Sequence, residues 1–450
     1  MNLNPRARVE VRFSPTRFAL RSRSFGIFAA GNLVSQAGEW MTLVALNWAV
    51  LEFTGSALYL GLINACRMVP AFLLSVPAGV LADRNDRRKL LILLQAGIMP
   101  STFCIGYLLA ADSPFWLLAV VVTLRSVLMA VVTPVRNSLI PNLVPESQVA
   151  SAVAIDSGVR NLSRIVGPAI AGTLLAVMEV ADVFWISACS IVAVLLSLFV
   201  VHPKSNRDAV SNNIKADIQE AAVYVKNSPS VQSLLILAVV PMVFAFPYTA
   251  MMPLFAEDLL QLGPEGVGIL LSVAAAGALV GSARLSLGSE TEGAGKWLVC
   301  STISFGLFLL LFMIAETLVT AAVMMFLVGL ASTTYRTMSR VTLQTGVPDR
   351  RRGRILSIAL MDRGLMPLGA ILIGAVAEWA GALWAGVVMG GRLRCRHAGG
   401  ARRQTTDLEP VDPEDLQALR TPYESYNRHR RLDLDDGLLD APPQALYGCS

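Results

Sequence analysis

Two sets of residues in this sequence are of a type and spacing to do chemistry. The first is Asn32, Ser35, Gln36, Glu39 and Asn47, set in an otherwise apolar stretch. At about 100° per residue they fall on one side of a helix. Glu39 lies near the middle of that stretch, where an ionised carboxylate costs roughly 2.5–3.5 kcal/mol on insertion scales. It must therefore be paired, protonated or open to water. A membrane-buried acid is what proton movement across a bilayer requires; the plainer reading is a structural hydrogen bond to a neighbouring helix. Arg67 and Arg125, also surrounded by apolar sequence, are its natural partners. Asp156 and Arg160, four apart, can pair along one helix face, and Asp362–Arg363 is a further charged pair near the start of its segment. The second set is the stretch AGVLADRNDRRKLLIL, residues 78–93, which holds Asp83, Arg84, Asp86, Arg87, Arg88 and Lys89 between two apolar runs.

The elements that carry these residues are read from composition. Of 450 residues, 54% are hydrophobic and only 15% charged, against about 25% charged in soluble domains, which implies a polytopic membrane protein. A span needs about 20 mostly apolar residues. Such runs predict helices near 25–50, 56–81, 90–110, 114–138, 152–178 and 183–201, then near 231–255, 266–288, 297–315, 317–338 and 355–378. The organisation expected is a basic arm (1–24), a six-helix bundle (25–201), a linker (202–230), a second bundle of five clear spans and a partial twelfth (231–390), and a polar, disordered tail (391–450). Within the linker, Ile214, Ile218, Ala221, Ala222 and Val225 keep helical spacing opposite Lys215, Asp217 and Glu220. That suits a helix lying on the membrane surface or packed on the protein.

Charge orients the spans. The arm, the loop at 83–89, the linker and the run Arg350, Arg351, Arg352, Arg354 are rich in Arg and Lys, while the opposite loops hold Glu52, Asp112, Glu179, Asp182, Glu257, Asp258, Glu265 and Glu316 and no Lys or Arg. The positive-inside rule then puts the N-terminus and linker in the cytoplasm, which explains the net charge of +5 without nucleic acid. The cysteines show no disulfide or zinc spacing. No phosphate-loop, HExxH or GxSxG pattern occurs, so neither an ATP-driven pump nor a hydrolase has sequence support, and no cofactor or metal is expected. The apolar run ALWAGVVMGG (382–391) breaks into RLRCRHAGGARRQTT. About ten residues cover about 15 Å, half the hydrocarbon core. The expectation is a twelfth helix truncated or missing, through a frameshift near 391 or a genuine short final helix.

The segment 134–155 after the fourth span has a counterpart at 336–358 in the second half, and parallel repeats of this kind mark transporters. On this pattern residues 78–93 resemble the signature between helices 2 and 3 of the major facilitator superfamily, G-x-L-A-D-R-x-G-R-R. Gly79, Leu81, Ala82, Asp83, Arg84, Arg87 and Arg88 match. Asp86 stands where Gly is usual, and Asp tolerates the left-handed backbone better than most residues. Helix 5 is similar to the family's antiporter motif in Gly167, Pro168 and Gly172, with Ala154, Ser163 and Ala171 departing. The wider texture resembles the branch of the enterobactin exporter and macrolide efflux pumps. The resemblance implies an all-α fold of two six-helix bundles with a cavity lined by helices 1, 2, 4 and 5 of the first half. It implies a monomeric, multi-pass protein of a bacterial-type inner membrane. It also implies a proton-coupled exporter of small amphiphilic molecules, a drug, macrolide or siderophore, by alternating access; the alternatives are transport of an unrelated solute in either direction, or a defective, non-transporting membrane protein. Asn32, Gln36, Glu39, Arg67 and Arg125 are the proton and substrate candidates. Gly79, Asp83, Arg84, Arg87 and Arg88 are the cytoplasmic gate, with Asp83 facing the start of helix 11 near 354–356 and Asp156 with Arg160 reinforcing it. The expected outcome for Asp83→Ala is normal insertion with loss of transport in inverted vesicles; unchanged transport excludes the gate.

Overall fold

The computed structural model describes residues 19, 22–74, 77–79, 81, 85–201, 239–287, 294–345 and 365–390. Asp83, Arg84, the linker with its expected surface helix, Asp362, Arg363 and the tail from 391 lie outside them. The described residues are helical and contain no strand. The first bundle is α1 (Arg23–Thr54), α2 (Ala57–Leu73), α3 (Arg87–Ala110), α4 (Phe115–Leu139), α5 (Val149–Leu175) and α6 (Val180–Val200). The second is α7 (Tyr248–Leu260), α8 (Pro264–Leu287), α9 (Ala294–Met313), α10 (Leu318–Thr345), α11 (Met366–Ala380) and a short α12 at 382–390.

Chain punctuation sets these limits. Helix α1 stops because Gly55 takes the left-handed conformation (φ 60°) and its N–H closes on Leu51 O at 2.7 Å, a conformation that suits glycine. Helix α2 runs to Leu73, and residues 77–79 and 81 beyond it are helical too, the Ala78 N–H closing on Leu74 O at 2.8 Å. Helix α7 is preceded by helical residues 239–244 and a turn at 245–247. Pro247 there leaves the Val243 carbonyl without its helical donor, and that carbonyl faces Gly369 of α11 so closely that an added Cβ would lie 2.2 Å away.

Asp86 departs from the sequence expectation. Its backbone is extended (φ −63°, ψ 111°), not left-handed, and its side chain accepts hydrogen bonds from the N–H groups of Arg88 and Lys89, both at 3.0 Å. It is the N-cap of α3, a role that Asp fills as well as any residue. Gly at this place would give up the side-chain acceptor.

The turns α1–α2, α3–α4, α5–α6, α7–α8, α9–α10 and α11–α12 gather at one end of the helices, with Glu52, Asp112, Glu179, Glu265, Glu316 and Glu378. This acidic end also carries exposed Tyr59, Trp116, Trp379 and Trp384, as an interfacial aromatic belt does. The opposite, basic end holds Arg23, Arg87, Arg88, Lys89, Arg284 and Lys296.

Between bundles, α2 packs on α11 and α5 on α8. An added Cβ at Gly61 would meet Ala370 O at 2.6 Å, and one at Gly374 would meet Ala57 O at 2.5 Å. At Gly172 it would meet Pro264 O at 2.8 Å, and at Gly268 it would meet Pro168 O at 2.5 Å. Ser272 Oγ also donates to Ile165 O at 2.7 Å. In lipid, helices associate through such close approach of small residues because apolar burial offers no preference for protein over tails. The Glu378 carboxylate of α11 then accepts from Ser56 Oγ at 2.8 Å and Leu58 N–H at 3.4 Å, at the start of α2. Both seams bring the bundles together at the acidic end. Gly172→Val forces the α5–α8 seam apart and should destabilise the purified protein by about 1–3 kcal/mol in thermal melting. Gly158→Ala, whose Cβ meets nothing within 4 Å, should not.

Candidate functional site

The polar face of α1 forms one wall of a cavity of about 180 Å³ inside the first bundle. Asn32, Ser35, Gln36, Glu39 and Thr42 come from α1, Gln95 from α3, Arg125, Thr133 and Arg136 from α4, and Ser187 from α6. Several polar groups of α1 are met from other helices, as burial in hydrocarbon demands. Asn32 Nδ2 donates to Asp156 Oδ1 of α5 at 3.2 Å. Ser187 Oγ of α6 donates to Gly38 O at 2.7 Å. Asn64 Nδ2 of α2 donates to Asn47 Oδ1 at 2.8 Å.

The centre of the site is a bidentate pair between α1 and α4. Arg125 NH1 donates to Glu39 Oε1 at 3.3 Å, Arg125 NH2 bonds Glu39 Oε2, and Nε donates to Thr102 Oγ1 of α3 at 2.9 Å. The arginine side chain is 5% exposed and the glutamate 31%. The guanidinium is thus fixed on three sides while the carboxylate keeps a face open to the cavity. The acid, not the arginine, is therefore the partner that the cavity reaches.

The other expected partner, Arg67 of α2, neither bonds Glu39 nor lines the cavity, whose walls come from α1, α3, α4 and α6 and not from the expected helices 1, 2, 4 and 5. Arg67 NH2 donates to Asn64 Oδ1 at 3.4 Å. Asp156 is buried and pairs with Arg160, whose second nitrogen donates to Ser157 Oγ at 2.8 Å. Through Asn32 this pair belongs to the α1 network. Arg87 NH1 donates to Ser138 O near the end of α4 at 3.1 Å. Arg88 donates to Leu198 O and Phe199 O near the end of α6 at 2.6 and 2.8 Å. Cations on terminal carbonyls are favoured by the helix dipole, and both partners are in the arginines' own bundle. Gly79 is helical, with space for a Cβ. Gly167 meets α1, an added Cβ lying 2.5 Å from Trp40 Cβ, and Pro168 and Gly172 face α8.

Sequence reading passed over Arg136, Gln95 and Thr102. Arg136 had a signal: it lies 11 residues beyond Arg125, about three turns, and so on the same face of α4. Gln95 and Thr102 had a similar one: they lie seven residues apart, about two turns, and so on one face of α3.

A family model described as "Transmembrane secretion effector" matches residues 13–435. The staphyloferrin A transporter of Staphylococcus aureus is 31% identical over 341 residues, 75% of this chain and 85% of that protein. Macrolide efflux protein A of Streptococcus pyogenes is 27% identical over 265 residues, 57% of this chain and 65% of its own length. In fold the chain is similar to a bacterial homologue of the human lysosomal transporter Spinster, crystallised in an inward-facing and unoccupied conformation. The TM-score is 0.62 at 17% identity, over 87% of this chain and 93% of that one.

Removing one partner of the central pair strands the other charge. Arg125→Met should cost about 3 kcal/mol, the low end for a buried pair because Glu39 is 31% exposed. Adding Glu39→Gln to it should restore most of that stability, and a double-mutant cycle in thermal melts measures the coupling.

Proposed function

Since the chain belongs to the transmembrane secretion effector family of major facilitator transporters, we propose that it is a proton-coupled exporter of small amphiphilic molecules, working by alternating access. The observation that carries this reading is the Glu39–Arg125 pair. An exporter driven by inward proton flow needs a group that gains and loses a proton as access alternates. Glu39 is a membrane-embedded carboxylate with one face on the cavity and a fixed cation behind it. When it is protonated, the pair loses its Coulomb attraction and α1 is freer to move against α4; when it is ionised, the pair re-forms.

The positive-inside rule makes the basic end cytoplasmic. The conformer held by the two glycine seams and by Glu378 is then the one closed on the outside. Its inner side is where substrate would enter, as export requires. Arg87 and Arg88 hold α3 to the ends of α4 and α6, which keeps the first bundle rigid as it rocks. Asp156, Arg160 and Asn32 tie α5 to α1 at that end. The names of the relatives favour siderophore-like or macrolide-like cargo, and a single chain containing both bundles suffices as the working unit.

The test is export of a compound panel from cells expressing the chain, with and without a protonophore. Export should stop when the gradient collapses. Glu39→Gln at equal membrane abundance should lower it at least tenfold. Export indifferent to the gradient overturns proton coupling.

A further inference from the structure

The cavity has more positive charge than its own residues can match. Glu39 is spent on Arg125 and Asp156 on Arg160. Of the arginines that line the cavity Arg136 remains, and among the described residues no carboxylate pairs with it. Arg136 lines the cavity, and its Nε is buried without a hydrogen-bond partner. The Nε2 of Gln36, which also lines the cavity, is buried and unpartnered as well.

These two spare groups have a common character: each is a donor, and Arg136 carries a positive charge. A buried cation without a counter-charge is a standing cost in any membrane protein. What would relieve it is an anion bearing acceptor oxygens. A guanidinium fits a carboxylate in a two-pronged arrangement, and a side-chain amide N–H can complete the set.

We propose, building on the transporter reading above, that this cavity receives a carboxylate group of the transported molecule, bound by Arg136 and Gln36. The cargo is accordingly anionic at neutral pH. Size agrees with a head-group rather than a whole macrocycle. The cavity of about 180 Å³ is close to the roughly 150 Å³ that admits a single benzene.

The experiment is equilibrium binding, which needs no gradient and so fails separately from the efflux test. The full chain in phosphatidylcholine nanodiscs is titrated with acetate, succinate, citrate, neutral trimethyl citrate, inorganic phosphate and the cation tetraphenylphosphonium. Melting midpoint and tryptophan fluorescence are followed, Trp40 being in the cavity wall. The carboxylates should raise the midpoint saturably, in the order of their charge, while the ester and the cation do nothing. Arg136→Gln should weaken citrate binding at least tenfold, and Arg136→Lys should recover part of it. Gln36→Leu, which removes no charge, should weaken it less and serves if Arg136→Gln does not fold. The proposal is overturned if no carboxylate binds, if citrate binds Arg136→Gln and Gln36→Leu as well as it binds the unaltered chain, or if tetraphenylphosphonium binds instead. Phosphate binding with no carboxylate response, or loss of the citrate response in phosphatidylglycerol nanodiscs, also overturns it, the first by assigning the site to phosphate and the second to a lipid head-group.

Discussion

A charge inside hydrocarbon has to find a partner, and the first bundle is arranged around that constraint. Glu39 cannot stay ionised in lipid alone, so α4 brings Arg125 to it and α3 brings Thr102 to hold Arg125. The three helices are thereby committed to one another. The same demand joins Asn32 to Asp156 and Asn47 to Asn64, so α1 becomes the hub to which α2, α4, α5 and α6 are tied. These bonds hold the helices of the first bundle to one another from within.

That joint is built on a different principle. Where α2 crosses α11 and α5 crosses α8, glycines let backbone carbonyls come within contact distance of the opposing helix. Such contacts are shallow and carry few hydrogen bonds: Ser272 to Ile165 at one seam, and Ser56 and Leu58 to Glu378 at the other. The close fit defines one closed arrangement, yet little polar desolvation would follow from parting it. A rigid polar network within the bundle and a sparse, small-residue seam between bundles are the mechanical counterparts that alternating access needs.

The residues of the signature loop illustrate how one motif serves local structure before it serves a gate. Asp86, which looked like a tolerated substitution for glycine, caps α3. Arg87 and Arg88 neutralise the ends of α4 and α6. All three contacts are within the first bundle and fix where α3 begins.

The sequence by itself determined the class of fold, because hydropathy in runs long enough to cross a bilayer leaves the backbone no alternative to helices. It also marked the polar face of α1 and the pairing of Asp156 with Arg160 four residues on, since both follow from helical period within one segment. It could not choose between Arg67 and Arg125 as the partner of Glu39: both are arginines in apolar surroundings, and only the packing of α4 and α3 against α1 brings the second within bonding distance. Spacing puts Arg136 on the face of Arg125, but that Arg136 and Gln95 line one cavity follows only from the packing of α3 and α4. Which faces of separate helices meet, and which charges are left over when they do, is set by how side chains fit across several helices at once, and no single segment contains that information.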